Sequence, residues 1–232
     1  MTDQLTLAPA LHLTPTASGA LHVVTTDERG PAERMLRTLL RAPEALRTDT
    51  VDLADLTGLT ATDEAIGVVA AAQDAGWVEG RTEPLELPEG PLGTTLPKLL
   101  EPLSDSGQAS LVDDQGFSLS SIGFSPEAEL ELSALAAEVV RLRQRRTTVA
   151  ASTMPVTGWG LVDGHGASTV AIFPLRIGLQ GFVLIVGGLP RLNHPSFVLL
   201  TTALSRRYDP ASEPEVDALS AVHPPTGGTF HA

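Results

Sequence analysis

Apolar residues recur with two different spacings along this chain, and the change of spacing marks out its elements. Leu5, Leu7, Leu11 and Leu13 stand among threonines, and Gly19-Ala20-Leu21-His22-Val23-Val24 follows. This β-branched, alternating stretch predicts one or two short strands. Met35, Leu36, Leu39 and Leu40 then fall at helical spacing behind Pro31, predicting a helix over residues 31–41. A short helix over 51–58 closes at Gly58, and Thr60 or Thr62 can cap a longer helix that ends at Gly76. Trp77-Val78-Glu79 reads as a strand.

Beyond residue 90 the signals are clearer. Leu96, Leu99, Leu100 and Leu103 form one helical face. Residues 109–112 and 117–122 read as strands of a hairpin around the turn Asp113-Asp114-Gln115-Gly116. Ser125-Pro126-Glu127 supplies a cap, a proline for the first helical position and an early acid, so a helix is predicted over 126–146. Strands over 159–162, 169–173 and 182–186 and a last helix over 196–207 complete an order αββαβββα. Five antiparallel strands with helices on the sheet make this an α+β arrangement.

Prolines and glycines crowd residues 83–93 and place a boundary there. The expected division is a domain over 1–88, a second over 89–208, and a polar, Pro/Gly-rich acidic tail over 209–232. Helix, short helix, Gly-containing turn, helix and strand is the order of a winged helix, which gives the first domain its expected fold.

The net charge of -13 is uneven. Residues 1–90 hold six arginines against 15 acids, residues 91–208 hold nine of each sign, and the tail adds four acids. The helix that would enter a DNA groove carries Asp63, Glu64 and Asp74 and no Lys or Arg. Duplex affinity comes mostly from neutralised phosphates, so DNA is an unfavoured partner. If DNA were bound, Arg34, Arg37 and Arg41 offer a backbone-contact stripe. The alternative this represents is a transcriptional regulator with a GAF-like effector domain. No signal-like segment opens the chain, and no apolar run spans a bilayer, so a cytoplasmic protein is expected.

Cysteine is absent, which removes thiolate chemistry and Cys-based zinc sites. Asp163-Gly164-His165-Gly166 pairs an acid with a histidine but lacks a third ligand nearby and sits where a hairpin needs glycines, so it reads as a turn. His194 reads as a loop residue before a helix, and neither nucleotide fingerprint occurs. No catalytic, cofactor or metal residues are expected, and the chain is not expected to be an enzyme.

The helix over 126–146 is apolar on more than one side, and its surplus needs a partner. Leu130, Ala134, Leu135, Ala137, Glu138, Arg141, Leu142 and Arg145 are the expected dimer or partner interface. The run LVDDQGFSLSSIGFSPEAELELSALAAEVV, residues 111–140, resembles the roadblock/LC7 pattern of strand, Asp-x-x-Gly turn, strand and Ala/Leu-rich helix. TVAIFPLRIGLQGFVLIVGG, residues 169–188, resembles that family's strand-turn-strand core. The resemblance implies a homodimer with a sheet running across both subunits and the long helix at or near the two-fold. It also implies a scaffold or regulator that binds a small Ras-like GTPase or a related signalling protein, in bacteria often one governing polarity or motility.

Overall fold

A computed structural model describes residues 7–145 and 157–209. The elements are β1 (His12–Pro15), α1 (Ala17–Thr25), α2 (Pro31–Arg41), α3 (Leu53–Thr57), α4 (Thr62–Asp74), β2 (Val78–Arg81), α5 (Leu92–Leu100), β3 (Ala109–Asp113), β4 (Ser118–Ile122), α6 (Pro126–Arg145), β5 (Trp159–Val162), β6 (Ser168–Ile177), β7 (Gln180–Gly187) and α7 (Pro195–Tyr208). A single 3-10 turn, Glu101–Leu103, extends α5.

The first element at variance with the sequence reading is α1. Residues 19–24 are helical and not extended, and the strand of this region is β1. Thr16 caps α1 by accepting from the Gly19 amide at 3.1 Å, and Ala20, Val23 and Val24 are buried at positions i, i+3 and i+4. Tertiary burial of that stripe overrides the β-branched propensity of the two valines. The helix α4 begins after Ala61, with neither Thr60 nor Thr62 as its cap. Its successor β2 pairs antiparallel with β1. Residues 82–90 hold no strand, because Pro84 and Pro88 cannot donate to a ladder, so a wing hairpin after α4 is absent among the described residues.

The second sheet has the strand order β4-β3-β7-β6-β5, antiparallel throughout. Strand alternation sends its side chains into two layers. Ala109 and Leu111 of β3, Phe182, Leu184 and Val186 of β7, and Leu175 and Ile177 of β6 join one core cluster. Val112, Val183, Ile185 and Ile172 point the other way and pack with Ala136 and Val139 of α6. The sheet therefore has α6 on one face and α5 with α7 on the other. The larger cluster continues from the sheet through α7 into Met35, Leu36 and Leu40 of α2 and Val23 and Val24 of α1, so the apolar interior crosses the proline-rich junction without a break.

Strands β6 and β7 run longer than their apolar cores predict and meet at the two-residue turn Gly178-Leu179, with Ile177 opposite Gln180. Pro174 lies inside β6, two residues past the last contact with β5 at Ile172. Its missing N–H therefore faces a side where no strand needs it. The hairpins β3–β4 and β5–β6 share one turn chemistry. Asp113 Oδ1 accepts from the amides of Gln115 and Phe117 at 2.9 and 2.8 Å, and Asp163 Oδ1 accepts from those of His165 and Ala167 at 2.8 and 3.0 Å. Gly116 and Gly166 close the two turns at φ of 92° and 82°, conformations that glycine adopts without strain. The helix α5 starts at Leu92, earlier than its leucine face suggests, and α7 extends one residue beyond each predicted end. The expectation for the acidic tail falls outside the described residues from 210 on, as does Arg146.

Candidate functional site

The long helix α6 is built to be held from below and left open above. Ser125 Oγ accepts from the Ala128 amide at 3.2 Å and fixes its start behind Pro126. At the other end Arg143 donates to the Pro174 carbonyl at 3.2 Å and to the Thr25 carbonyl at 2.6 Å, tying the helix to β6 and to the end of α1. Arg176 adds an exposed ion pair to Asp27 at 2.9 Å across the same seam.

Between these anchors the helix sorts its residues by side. Ser133, Ala136, Ala137 and Val139 are buried, and Leu132, Leu135, Val140 and Leu142 are half-buried. Leu130, Glu131, Ala134, Glu138 and Arg141 are exposed. Of the expected interface residues, Leu130, Ala134, Glu138 and Arg141 lie on the open stripe, with Leu135 and Leu142 on its shoulder and Arg145 ending the helix. Ala137 is spent inside the fold. It is 5% exposed and stands against the turn glycine Gly116, where it offers no surface to another chain. Leu130, by contrast, in the second turn of the helix, is 73% exposed.

The edge strand β5 supplies a second open surface. Among the described residues it pairs with β6 alone, and Leu161 and Val162 are exposed. The opposite edge, β4, presents Ser118, Ser120 and Ser121. An uncovered edge carrying apolar side chains is a pairing surface, whereas a serine-rich edge is blunted. The sequence reading placed β5 but missed its exposure, which follows from α6 lying mainly over β3, β7 and β6, with Trp159 the residue of β5 that packs against the cluster beneath α6.

In the arginine stripe of α2, Arg34 is exposed while Arg37 and Arg41 are half-buried. Arg37 donates to the Glu28 carbonyl at 2.8 Å, Arg41 donates to Thr38 Oγ1 at 3.3 Å, and the Arg34 stem packs at Gly58. Asp163 accepts through Oδ1 from its own turn, and His194 is the cap of α7, its Nδ1 accepting from the Ser196 amide at 3.2 Å.

One polar cluster was invisible in the sequence because its members are 11 and 55 residues from His22. His22 stacks on Trp77 with ring centroids 4.0 Å apart, and its Nε2 lies 2.9 Å from Glu33 Oε1. With Glu28, these side chains bring three ligand-type atoms within 4.8 Å, the set among the described residues that could receive a cation. Glu33 and His22 already satisfy each other, and the arrangement serves to pin α1 onto α2. Burial pushes the Glu33 carboxyl up, but the His22 hydrogen bond, its own backbone amide and the charges of His22 and Arg37 together hold it below its ordinary value. A depressed carboxyl contributes stability above its unfolded pKa and loses it as pH falls through the folded one. Thermal stability should therefore drop on acidification below the usual carboxylate range, and Glu33→Gln should reduce that acid-side drop. Identical acid-side melting curves for the two proteins would contradict the role given to this pair.

The likeness is to a roadblock/LC7 domain. That crystal structure, of the domain from Streptomyces avermitilis, aligns with 42% of this chain and 80% of its own at 15% identity and a TM-score of 0.31. At that TM-score the match adds nothing to what the strand order states. No family model matches the chain, and no curated protein matches it. Among the described residues no helix is long and apolar enough to cross a membrane.

Proposed function

We propose that this chain is a non-enzymatic, dimeric adaptor or regulator whose residues 89–208 work as a roadblock/LC7-like domain. One observation carries the reading: the open stripe of α6 and the outer edge of β5 leave Leu130, Leu161 and Val162 exposed. The element order αββαβββα supports it. A second copy laid across that edge would extend the sheet and cover the stripe, and each leucine or valine fully removed from water contributes about 1.5–3 kcal/mol. Leu130→Asp tests this without touching the monomer's core. The wild type should sediment as a dimer at micromolar concentration and the variant as a monomer with an unchanged circular dichroism spectrum. A monomeric wild type would sink the proposal.

In this reading the partner is a small Ras-like GTPase or a related signalling protein, as the resemblance of residues 111–140 and 169–188 implies. Residues 1–88 serve as a winged-helix-like module for protein contact. The order α2, α3, α4, β2 supports this role, and the acidic, cation-free α4 supports protein over DNA. Binding of purified Ras-like GTPases, loaded with GDP or GTP, decides the partner. Failure to hold either form would remove the GTPase from the account and leave the dimer standing.

A further inference from the structure

The polar cluster at the joint of α1 and α2 has more ligand capacity than its own contacts use. Glu33 Oε1 meets His22 Nε2 at 2.9 Å, which occupies one atom of each side chain. Glu28 lies in the loop between the two helices and is exposed. Among the described residues none of the four ion pairs includes it. Its backbone is nonetheless fixed, because its amide donates to Thr26 Oγ1 at 3.2 Å and its carbonyl accepts from Arg37 at 2.8 Å. From that anchored backbone its carboxylate comes close to the other two side chains, and one ligand atom from each of the three lies within 4.8 Å of the others.

One imidazole and two carboxylates make a mixed nitrogen and oxygen donor set, which suits zinc and its neighbours, whereas calcium and magnesium take oxygen alone. Donors around a tetrahedral zinc stand about 3.3 Å apart, so His22 and Glu33 need to open by only a few tenths of an ångström. Glu28, the exposed member, is the one that closes the remaining distance. The His22 ring is stacked on Trp77 with centroids 4.0 Å apart and planes 12° apart, so the aim of its Nε2 is set before an ion arrives. The Glu33 side chain is 7% exposed, and Gly30 leaves room for its second oxygen, since a Cβ at that position would stand 2.7 Å from Oε2. Two carboxylates also match the charge of a divalent ion. The neighbouring cation, Arg37, donates to the Glu28 carbonyl and forms an ion pair with neither carboxylate.

We propose that His22, Glu28 and Glu33 bind a divalent transition-metal ion of the zinc class. The ion takes the place of the proton that His22 and Glu33 share: Nε2 binds it as neutral imidazole with the ring proton on Nδ1, and both carboxylates bind ionised. Three protein ligands leave a fourth position to water. The loop clamped in this way is the one gripped from the sheet side, where Arg143 of α6 donates to the Thr25 carbonyl at 2.6 Å and Arg176 of β6 pairs with Asp27 at 2.9 Å. Metal occupancy therefore tightens the joint between α1, α2 and the sheet. The inference stands apart from the dimer proposed above and holds for one copy of the chain.

The stacked tryptophan provides the readout. In the full chain carrying Trp159→Phe, Trp77 is the remaining tryptophan, and Co²⁺ bound to the ring stacked on it should quench its emission. The quench should saturate at micromolar cobalt with one ion per chain, and excess Zn²⁺, whose d shell is full, should restore the emission. Glu28→Gln removes a ligand whose side chain is exposed, so the fold is kept while cobalt binding weakens about tenfold or more. Glu28→His returns a ligand to the same position and should recover saturable binding. Zn²⁺ should also raise the melting temperature of the parent protein, and that of Glu28→Gln much less, because an ion held only by the folded state stabilises it. Quenching that never saturates, or that has the same midpoint in Glu28→Gln as in the parent, overturns the site, since the other histidines of the chain would then be the ones binding cobalt.

Discussion

Gly19→Ala is expected to destabilise the protein by about 2 kcal/mol, although alanine is the better helix former. Gly19 is the third residue of α1, and a methyl group there would land on the Trp77 carbonyl and lie within 2.9 Å of Trp77 Cα. Helix propensity favours the substitution by roughly 1 kcal/mol. Forced overpacking against a backbone that cannot retreat costs about 1–3 kcal/mol and sometimes more. The Trp77 backbone is fixed, because its carbonyl accepts from the Thr16 amide at 2.9 Å while its ring is stacked on His22. Thr16 Oγ1 also donates to the Gly76 carbonyl at 2.6 Å, so the start of α1 and the end of α4 are laced together where the methyl would enter. Crowding therefore outweighs propensity. Urea unfolding of the wild type and the variant measures the difference, and a variant at least as stable as the wild type would show that this joint yields.

The largest loss is expected from Phe197→Ala, about 3–5 kcal/mol for a fully buried phenylalanine whose space cannot collapse. Phe197 is 0% exposed at the start of α7, inside the cluster that joins the sheet to α1, α2 and α5. Against a typical total of about 5–15 kcal/mol, such a loss brings the whole chain close to unfolding. The chain has two tryptophans, Trp77 beside α1 and Trp159 on β5, one on each side of the proline-rich junction. With an interior continuous across that junction, both should report the same lowered urea midpoint when each is followed in a single-tryptophan background. Loss at Trp159 with no change at Trp77 would mean that the two regions unfold separately.

Much of this architecture is legible in the residues, for reasons that can be named. The hairpin around Asp113–Gly116 and the helix behind Ser125-Pro126 carry local signals, a turn chemistry and a cap, which need no knowledge of the rest of the chain. The strands β3, β6 and β7 announce themselves by apolar runs bounded by glycine. What misled was competition between levels. Val23 and Val24 favour extended backbone, and only their burial against the rest of the interior makes them helical. A usable signal was present in Thr16, three residues before Gly19, and in the i, i+3, i+4 spacing of Ala20, Val23 and Val24. The strand predicted over 169–173 ends just before Pro174, yet β6 continues through it because at that level β6 has no described neighbour on one side.

The candidate interface was half legible. A helix apolar on more than one side says that something must cover it, but not which side the fold itself will use. Ala137 and Leu130 look equally available in the sequence; the Gly116 turn takes one and leaves the other in solvent. The repeated Leu-Val-Asp-x-x-Gly of residues 111–116 and 161–166 could have been found by comparing the chain with itself, and it would have fixed both hairpin registers at once. The association of His22 with Glu33 and Trp77 had no local trace, since stacking and ion pairing between distant segments leave no periodicity behind.

The helix α7 has the sheet behind it and α1 and α2 in front, so its outer wall is occupied before any other molecule arrives. In the reading proposed above, a partner approaches from the far side, by way of α6 and the β5 margin. The helices α1 and α2 are thus an intramolecular tenant of that half of the sheet, filling through α7 a wall that a second molecule would otherwise find free.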